Sequence, residues 1–448
     1  MPYCAIQPHD QYLWLRIGPV THAPAPTSLI PHAPAGEANE PTAKTEYSVA
    51  EFFAGIGLAR LGLEGANRGF KVTWANDLEE SKQRMYLGHF GQGDKDHYKV
   101  KDIKDVAGDI SAANLPRNLD LVWASFPCTD LSLAGGREGL AGKASGTFWH
   151  LTDILDQLVG DERPRVVALE NVNGFATSDG GKDIKAAVRK LNELDYSVDV
   201  ITLDARRWVP QSRPRLFLVA SREEPMGLDE ERNTELRPNW LNSVLDDPGL
   251  RTHRKRLNPP PPLLTGGWTD LVDDDSAEGV EWWDEQRTTK FVGELSDFQA
   301  KRSREIAVAG KKIYRTAYRR TRGGVPAWEI RADDIAGCLR TAGGGSSKQA
   351  VVCIRKDQPL KVRWMTAREY AKLMGAPEYT LPESRNQSIM GFGDAVCVDA
   401  VRWLAENYLE PLLSGRILPP KTEESPELPE AVAVREAAEV RVRETVYA

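Results

Sequence analysis

From Tyr47 to about Ser221 the chain alternates short apolar runs with amphipathic stretches, and this alternation constrains the fold more than any other feature. "EYSVAEFFAG" reads as a strand reaching a glycine turn, "LARLGLEGANRG" as a helix, and "FKVTWAND" as a second strand ending in an acid. "LDLVWASFPC" is a third strand, followed by the helix "GTFWHLTDILDQLVG". "RVVALENV" is a fourth, followed by "GKDIKAAVRKLNELD", and "SVDVITLDA" and "RLFLVAS" close the set. Such alternation predicts an α/β fold, a parallel sheet with helices on both faces. Ligands of such sheets bind outside the carboxyl ends of the strands, where the polar residues of interest fall.

The rest of the chain divides around this block. Residues 1–45, with "THAPAPTSLIPHAPAGEANEPTAKT", read as a flexible leader. The catalytic, cofactor-binding region spans 46–222. From 223 to 340 the rhythm breaks into loop-rich text such as "NPPPPLLTGGWTD", which predicts a smaller, irregular recognition domain. Helical periodicity returns in "MTAREYAKLMGA" and "AVCVDAVRWLAENYLEPLL", so 341–414 is expected to rejoin the first domain, with 415–448 a flexible acidic tail. No apolar run approaches the roughly 20 residues that span a bilayer, and no secretory signal is read at the start. The five cysteines are scattered without metal-ligand spacing, which predicts a reducing cytoplasm and no metal. The net charge of −7 argues against nucleic acid as a partner. The segment from Lys301 to Arg331 departs from that average, because ten basic residues face only Glu305 and Glu329. A local basic block can hold phosphates.

Four constellations carry chemistry. Gly55 and Gly57 stand between the first strand and first helix, where a backbone can approach a ligand at a helix amino end. The second strand ends at Asp77, placed to hold ribose hydroxyls; an inert turn with a surface acid is the plain alternative. Cys128 follows Pro127 where the chain leaves the core, ahead of a pliable loop with Asp130, Ser132, Gly135 and Gly136; an inert strand-end thiol is the alternative. Glu170 ends the fourth strand, where partial desolvation favours a proton donor, unless it merely caps or forms a salt bridge. In "VPQSRPRLFLV", Arg213 and Arg215 alternate about Pro214 and share one face, with Gln211 just upstream; two guanidinium forks there can grip an oxygen or a phosphate.

In this order, FxGxG, the acid, the Pro-Cys loop, ENV and QxRxR resemble the DNA cytosine carbon-5 methyltransferases. "CLRTAGGGSS", "RWMTAREYAKLMGAPEYT" and "GFGDAVC" resemble later motifs of that family, so the likeness runs from about Tyr47 to Leu413. It implies a Rossmann-like methyltransferase sheet, S-adenosyl-L-methionine as cofactor and S-adenosyl-L-homocysteine as its product. It implies Cys128 as the nucleophile that adds to carbon-6 of a flipped cytosine. Glu170 matches the acid on ring nitrogen 3, and Arg215 the arginine near the carbonyl oxygen, with Arg213 in support. Phe53, Ala54, Gly55 and Gly57 match the cofactor turn, and Asp77 with Leu78 the ribose end. Asp102 with Ile103 matches the adenine contact best, with Asp109 the alternative. Pro127, Asn171, Asp394, Ala395 and Val396 match the remaining cofactor positions.

The resemblance also implies double-stranded DNA as partner. Ser132, Gln211, Lys311, Lys312 and Arg315 are expected at the DNA, together with Arg319, Arg320, Arg322 and Arg340. A solvated charged face is the alternative for the basic run. A cognate restriction endonuclease, a monomeric state and a bacterial cytoplasmic location are further expectations. The family's usual PCQ is Pro127-Cys128-Thr129 here, its GNxV is Gly393-Asp394-Ala395-Val396, and Leu58 stands where a third glycine is common. Two rivals remain: a transfer RNA cytosine-5 methyltransferase, and a catalytically impaired DNA-binding homologue supported by Asp394.

Overall fold

The computed structural model describes residues 46–127, 130, 139–142, 144–223, 225–308, 310–322, 324–340, 348–382 and 384–417. The expected leader, and the expected tail beyond residue 417, lie outside these. A seven-stranded sheet has the order β3-β2-β1-β4-β5-β7-β6. Its strands are β1 (Tyr47–Phe52), β2 (Phe70–Asp77), β3 (Tyr98–Val100), β4 (Leu121–Ala124), β5 (Val166–Val172), β6 (Ser197–Asp204) and β7 (Pro214–Ser221). Strands of this kind are covered on both faces and read as continuous apolar runs; β4, "LVWA", is buried throughout.

One face packs on α3 (Ile103–Gly108), α4 (Thr147–Gln157) and α5 (Lys182–Glu193), and the other on α1 (Leu58–Gly65) and the carboxyl-terminal helices α12 (Val398–Leu404) and α13 (Glu410–Leu413). In α5 the buried residues Ile184, Ala187, Val188 and Leu191 recur at helical spacing and make one apolar stripe. Helix α2 (Glu80–Phe90) lies between β2 and β3 in the chain.

The predicted all-parallel sheet is corrected at one strand: β7 runs antiparallel to both β5 and β6. β5, α5 and β6 alternate as a parallel unit would, but only a short link joins β6 to β7, too short for a crossover. The reversal brings the start of β7 to the edge where β1, β4 and β5 end.

The region after residue 222, expected to be irregular, differs from that expectation. It holds a four-stranded antiparallel sheet of order β11-β10-β8-β9, built from β8 (Ile313–Arg322), β9 (Val325–Ile330), β10 (Ala350–Ile354) and β11 (Lys361–Trp364). Two strands therefore come from beyond residue 340, where a return to the first domain was expected. Helices α8 (Glu285–Gly293) and α9 (Asp297–Ala307) pack on it through Phe291, Ile306 and Ala307. Between β7 and α8 lie the short helices α6 (Asn242–Leu245) and α7 (Trp268–Leu271).

Residues 229–255, assigned by sequence to the recognition region, instead run beside β6. Thr202 donates to Leu236 O, and Arg237 pairs with buried Asp199 at 2.6 Å. Such cover removes an open sheet edge. Helix α10 (Ala367–Leu373) starts at a capping box of Thr366 and Glu369, and α11 (Arg385–Asp394) precedes α12. Among the described residues no helix is long and apolar enough to cross a membrane.

Candidate active site

The chain leaves β1 toward β2 on one side and returns to β4 on the other, so the crevice between the ends of β1 and β4 is the topological switch point. Two of the sequence constellations flank it. After β1, Phe53 (φ 55°), Gly55 (φ 57°) and Gly57 (φ 79°) all adopt left-handed backbone. At Phe53 that conformation is strained for a side-chain residue, and such strain gathers at functional turns. A Cβ on Gly57 would lie 2.5 Å from the Phe90 ring and 2.7 Å from Tyr86, whereas one on Gly55 meets only Phe53 O at 4.0 Å. The first glycine is thus open outward and the second is required by packing.

Asp77, at the end of β2, accepts from Gly55 N at 2.9 Å and from Glu79 N at 3.0 Å. Burial raises its carboxyl above the usual range, against the pull of Lys82 and of these two amides. Leu78 beside it is 64% exposed. An open glycine turn, an acid and an exposed apolar side chain suit the backbone, ribose and adenine contacts of an adenosyl group, so these residues fit S-adenosylmethionine. Asp102 lies just beyond β3, which pairs with β2, and caps α3 through Lys104 N. Asp109 lies at the far end of α3 and accepts from Ser111 N and Ala112 N. Asp102 is therefore nearer in the fold to the end of β2, while Ile103 is buried in the core.

After β4, Phe126 is buried and its carbonyl accepts from Asn171 Nδ2 at 3.1 Å. Ser145 Oγ donates to Pro127 O at 3.0 Å, and the Asp130 carboxylate accepts from Ala144 N and Ser145 N. These contacts fix the chain on both sides of Cys128. Cys128 itself, Thr129 and residues 131–138, including Ser132, lie outside the described residues. Asn171 was expected at the cofactor; its amide is instead spent on Phe126 O and on Val172 N, in a side chain with almost no exposure.

The reversed β7 brings in the arginines. Arg215 Nε lies 3.0 Å from Glu170 Oε1, both side chains being largely buried. Arg213 is wholly buried and donates to Leu339 O at 2.7 Å, Gly393 O at 3.0 Å and Ala395 O at 2.6 Å. Expected as a support for Arg215, it fastens residues 338–339 and the end of α11 to the start of β7. Cys338 Sγ lies 3.4 Å from Arg213 and 4.0 Å from Arg215. Burial opposes ionisation of that thiol, but Arg213, Arg215 and Arg340 outweigh it and hold the thiol below its ordinary value.

Residues 47–410 match the family of C-5 cytosine-specific DNA methylases. The chain belongs to this family. It is 26% identical to the Type II methyltransferase M.HhaI of Haemophilus parahaemolyticus, over 80% of this chain and 92% of that protein. It is 24% identical to the Type II methyltransferase M.HpaII of Haemophilus parainfluenzae, over 84% and 92%. The methyltransferase EhMeth of Entamoeba histolytica shares the fold, with a TM-score of 0.54 and 16% identity over 82% of this chain and 98% of that one.

This cytosine-5 methyltransferase uses S-adenosylmethionine, which supplies an electrophilic methyl group when bound. Its expected DNA contacts are only partly exposed. Gln211 is fully buried: its amide donates to Leu373 O and accepts from Leu339 N, so it braces the core rather than facing a duplex. Arg315 pairs with Asp334 at 2.9 Å, Arg319 with Glu294 at 2.8 Å, Arg320 with Glu329 at 3.7 Å and Lys312 with Asp275 at 3.5 Å. Lys312, Arg315 and Arg319 are therefore paired with acids outside the basic block, and Arg320 with Glu329 inside it. Lys311 and Arg340 are exposed; Arg322 lies on β8, its side chain outside the described residues.

Sequence reasoning missed Lys82. Its Nζ lies 3.2 Å from Asp394 Oδ2, beside partly exposed Ala395 and buried Val396. Asp394 adds a charge where the family's motif has a neutral asparagine, and the structure places a cation beside it. The only sequence signal is that Lys82 follows Asp77 by five residues at the start of α2.

Proposed function

We propose that this chain methylates carbon-5 of a flipped cytosine within a specific sequence of duplex DNA, through a covalent bond to Cys128, as the modification enzyme of a restriction-modification pair. The observation that carries this reading is the Glu170–Arg215 pair, 3.0 Å apart at the strand edge where Pro127 also emerges. A carboxyl group and a guanidinium side by side suit the nitrogen 3, exocyclic amine and carbonyl oxygen of cytosine.

In this reading the Cys128 thiolate forms a bond to carbon-6, and the electron pair displaced from the carbon-5–carbon-6 double bond moves into the ring. Glu170 supports protonation at nitrogen 3, and Arg215 holds the carbonyl oxygen. S-adenosylmethionine, held by the turn from Phe53 to Gly57 and by Asp77, would supply the electrophilic methyl group that carbon-5 accepts, and would keep the electron pair of the broken carbon–sulfur bond. Loss of the carbon-5 proton to a base, cleavage of the carbon-6–sulfur bond and return of the nitrogen-3 proton to Glu170 restore the ring and the thiolate. Splitting one difficult substitution into these steps is covalent catalysis. The base must leave the stack to reach the thiolate. The four-stranded sheet with α8 and α9 supplies DNA contacts, phosphates giving affinity and base edges giving sequence choice.

Bisulfite sequencing of DNA from a methylation-free host expressing the chain, beside a Cys128→Ala control, tests the reading. Protected cytosines in one short motif, absent in the control, are expected. No protection from a chain that binds S-adenosylhomocysteine overturns the DNA assignment, and transfer RNA is then the substrate to assay.

A further inference from the structure

Lys82 stands in the first turn of α2 and is largely withdrawn from solvent. Its ammonium reaches carboxylates from separate segments: Glu79 Oε1 at 3.1 Å, Asp394 Oδ2 at 3.2 Å and Asp77 Oδ1 at 4.0 Å. Asp77 and Glu79 belong to the end of β2 and the residues after it. Asp394 is the last residue of α11, more than 300 positions later. An acid at a helix carboxyl end opposes the dipole, and it here converges with two further acids. An ammonium is a compact charge that several carboxylates can share. Burial opposes the charged form of Lys82, yet the three acids outweigh it and raise its pKa above the ordinary lysine value.

The same two helices also touch through Gln387 Nε2, which donates to Ser81 O at 3.1 Å, and through Gly391, where a Cβ would lie 3.1 Å from Met85. The contact is close-packed, and Lys82 is its charged element. Gly393 O and Ala395 O are held on the other side by Arg213. Residues 393–396 are thus held between Arg213, just before β7, and a lysine on α2.

We propose that Lys82 is a positioning residue of the cofactor site, holding Asp394 and the backbone after it in register with Asp77, so that S-adenosylmethionine binds well only while the Lys82–Asp394 pair is intact. This rests on the assignment of the Phe53–Gly57 turn and Asp77 to the cofactor. Lys82 acts through Asp394, and the two residues are one unit.

The test is the dissociation constant of S-adenosylhomocysteine, measured by titration calorimetry on the full chain, which reads binding and not turnover. Lys82→Met is expected to weaken binding by about 10-fold or more, the range of a coupled pair. Lys82→Arg, which keeps the charge, stays within about 3-fold of the parent on the same scale. Lys82→Met/Asp394→Asn binds more tightly than Lys82→Met alone, because the carboxylate that Lys82 holds in register is replaced by a neutral amide. Parent-like affinity for Lys82→Met, or losses that simply multiply in the double variant, overturn the proposal. If Lys82→Met does not fold, Asp394→Asn is compared with the double variant. Equal affinities support the coupling, and a further loss in the double overturns it. Asp77→Ala separates the two levels. A loss there with none at Lys82→Met defeats only the role of Lys82, and no loss at either defeats the assignment of the turn.

Discussion

Glu170 on β5 and Arg215 on β7 meet diagonally across an antiparallel ladder: Glu170 stands opposite Phe217 and Val172 opposite Arg215, and the two charged side chains close to 3.0 Å. Diagonal neighbours of this kind are within reach of long side chains. Had β7 run parallel, its first residues would lie at the opposite edge of the sheet from the end of β5.

Glu170→Gln and Arg215→Ala should each slow methyl transfer by about 10²–10⁴-fold, the range for a positioned acid or its partner. Single-turnover transfer from tritiated cofactor reads this. S-adenosylhomocysteine affinity should stay close to that of the parent; an equal fall in affinity would make the pair a structural brace for the cofactor site.

Arg213→Met should act on stability first. It removes donors from three carbonyls, and hydrogen bonds to a charged group contribute about 1.5–3 kcal/mol each, though not additively. A loss of at least ~3 kcal/mol in urea unfolding is expected. Arg213→Lys should not restore it, since one ammonium lacks the planar fork that spans Leu339 and the end of α11.

Gly55→Ala and Gly57→Ala should separate. Both positions have left-handed backbone, costing about 1–2 kcal/mol for alanine. Only at Gly57 does the new methyl also strike Phe90 and Tyr86, adding overpacking of about 1–3 kcal/mol. Thermal unfolding should rank Gly57→Ala as the less stable variant. Gly55→Ala should show the larger loss of S-adenosylhomocysteine binding for its cost in stability, because its methyl points into the open side of the turn.

Glu51 lies near the end of β1, wholly buried, with Oε2 lacking a hydrogen-bond partner among the described residues. Burial pushes its carboxyl up to about 8 from the usual 4.5, against the pull of Arg60. The folded protein therefore holds this proton where the unfolded chain has released it. The contribution to stability is complete below about pH 4.5 and declines as pH rises to about 8, then levels off. Glu51→Gln should remove that decline. Urea midpoints of parent and variant between pH 5 and 9 check it, and parallel profiles would refute it.

Much of the large sheet was legible because its strands are buried on both faces and appear as apolar runs; β2 matches its sequence reading from Phe70 to Asp77. The direction of β7 was not legible, since alternation of elements says nothing about which way the last strand turns. The small sheet was obscured because β8 carries Arg315, Arg319 and Arg320 among its apolar positions, and their partners Asp334, Glu294 and Glu329 are set by folding. Glu170 was readable as an acid near a strand end, whereas Arg215 was told apart from Arg213 only by the family resemblance. The clamp at Arg213 and the bracing by Gln211 and Asn171 could not, because the same residue types serve equally well facing a ligand or a carbonyl. Lys82 escaped notice because its meaning depends on Asp394, a residue from the far end of the chain.

The interleaved small sheet sets a rule for grafting specificity between relatives. β10 pairs with β8 on one side and with β11 on the other, so the sheet is sewn from chain on both sides of the "CLRTAGGGSS" stretch. A transplanted segment ending at residue 340 would carry β8 and β9 into a host whose own β10 must match a foreign edge. A working exchange has to extend through β11 at Trp364, taking with it the stretch that Arg213 anchors through Leu339. The small sheet and the stretch that Arg213 clamps would thus be inherited together.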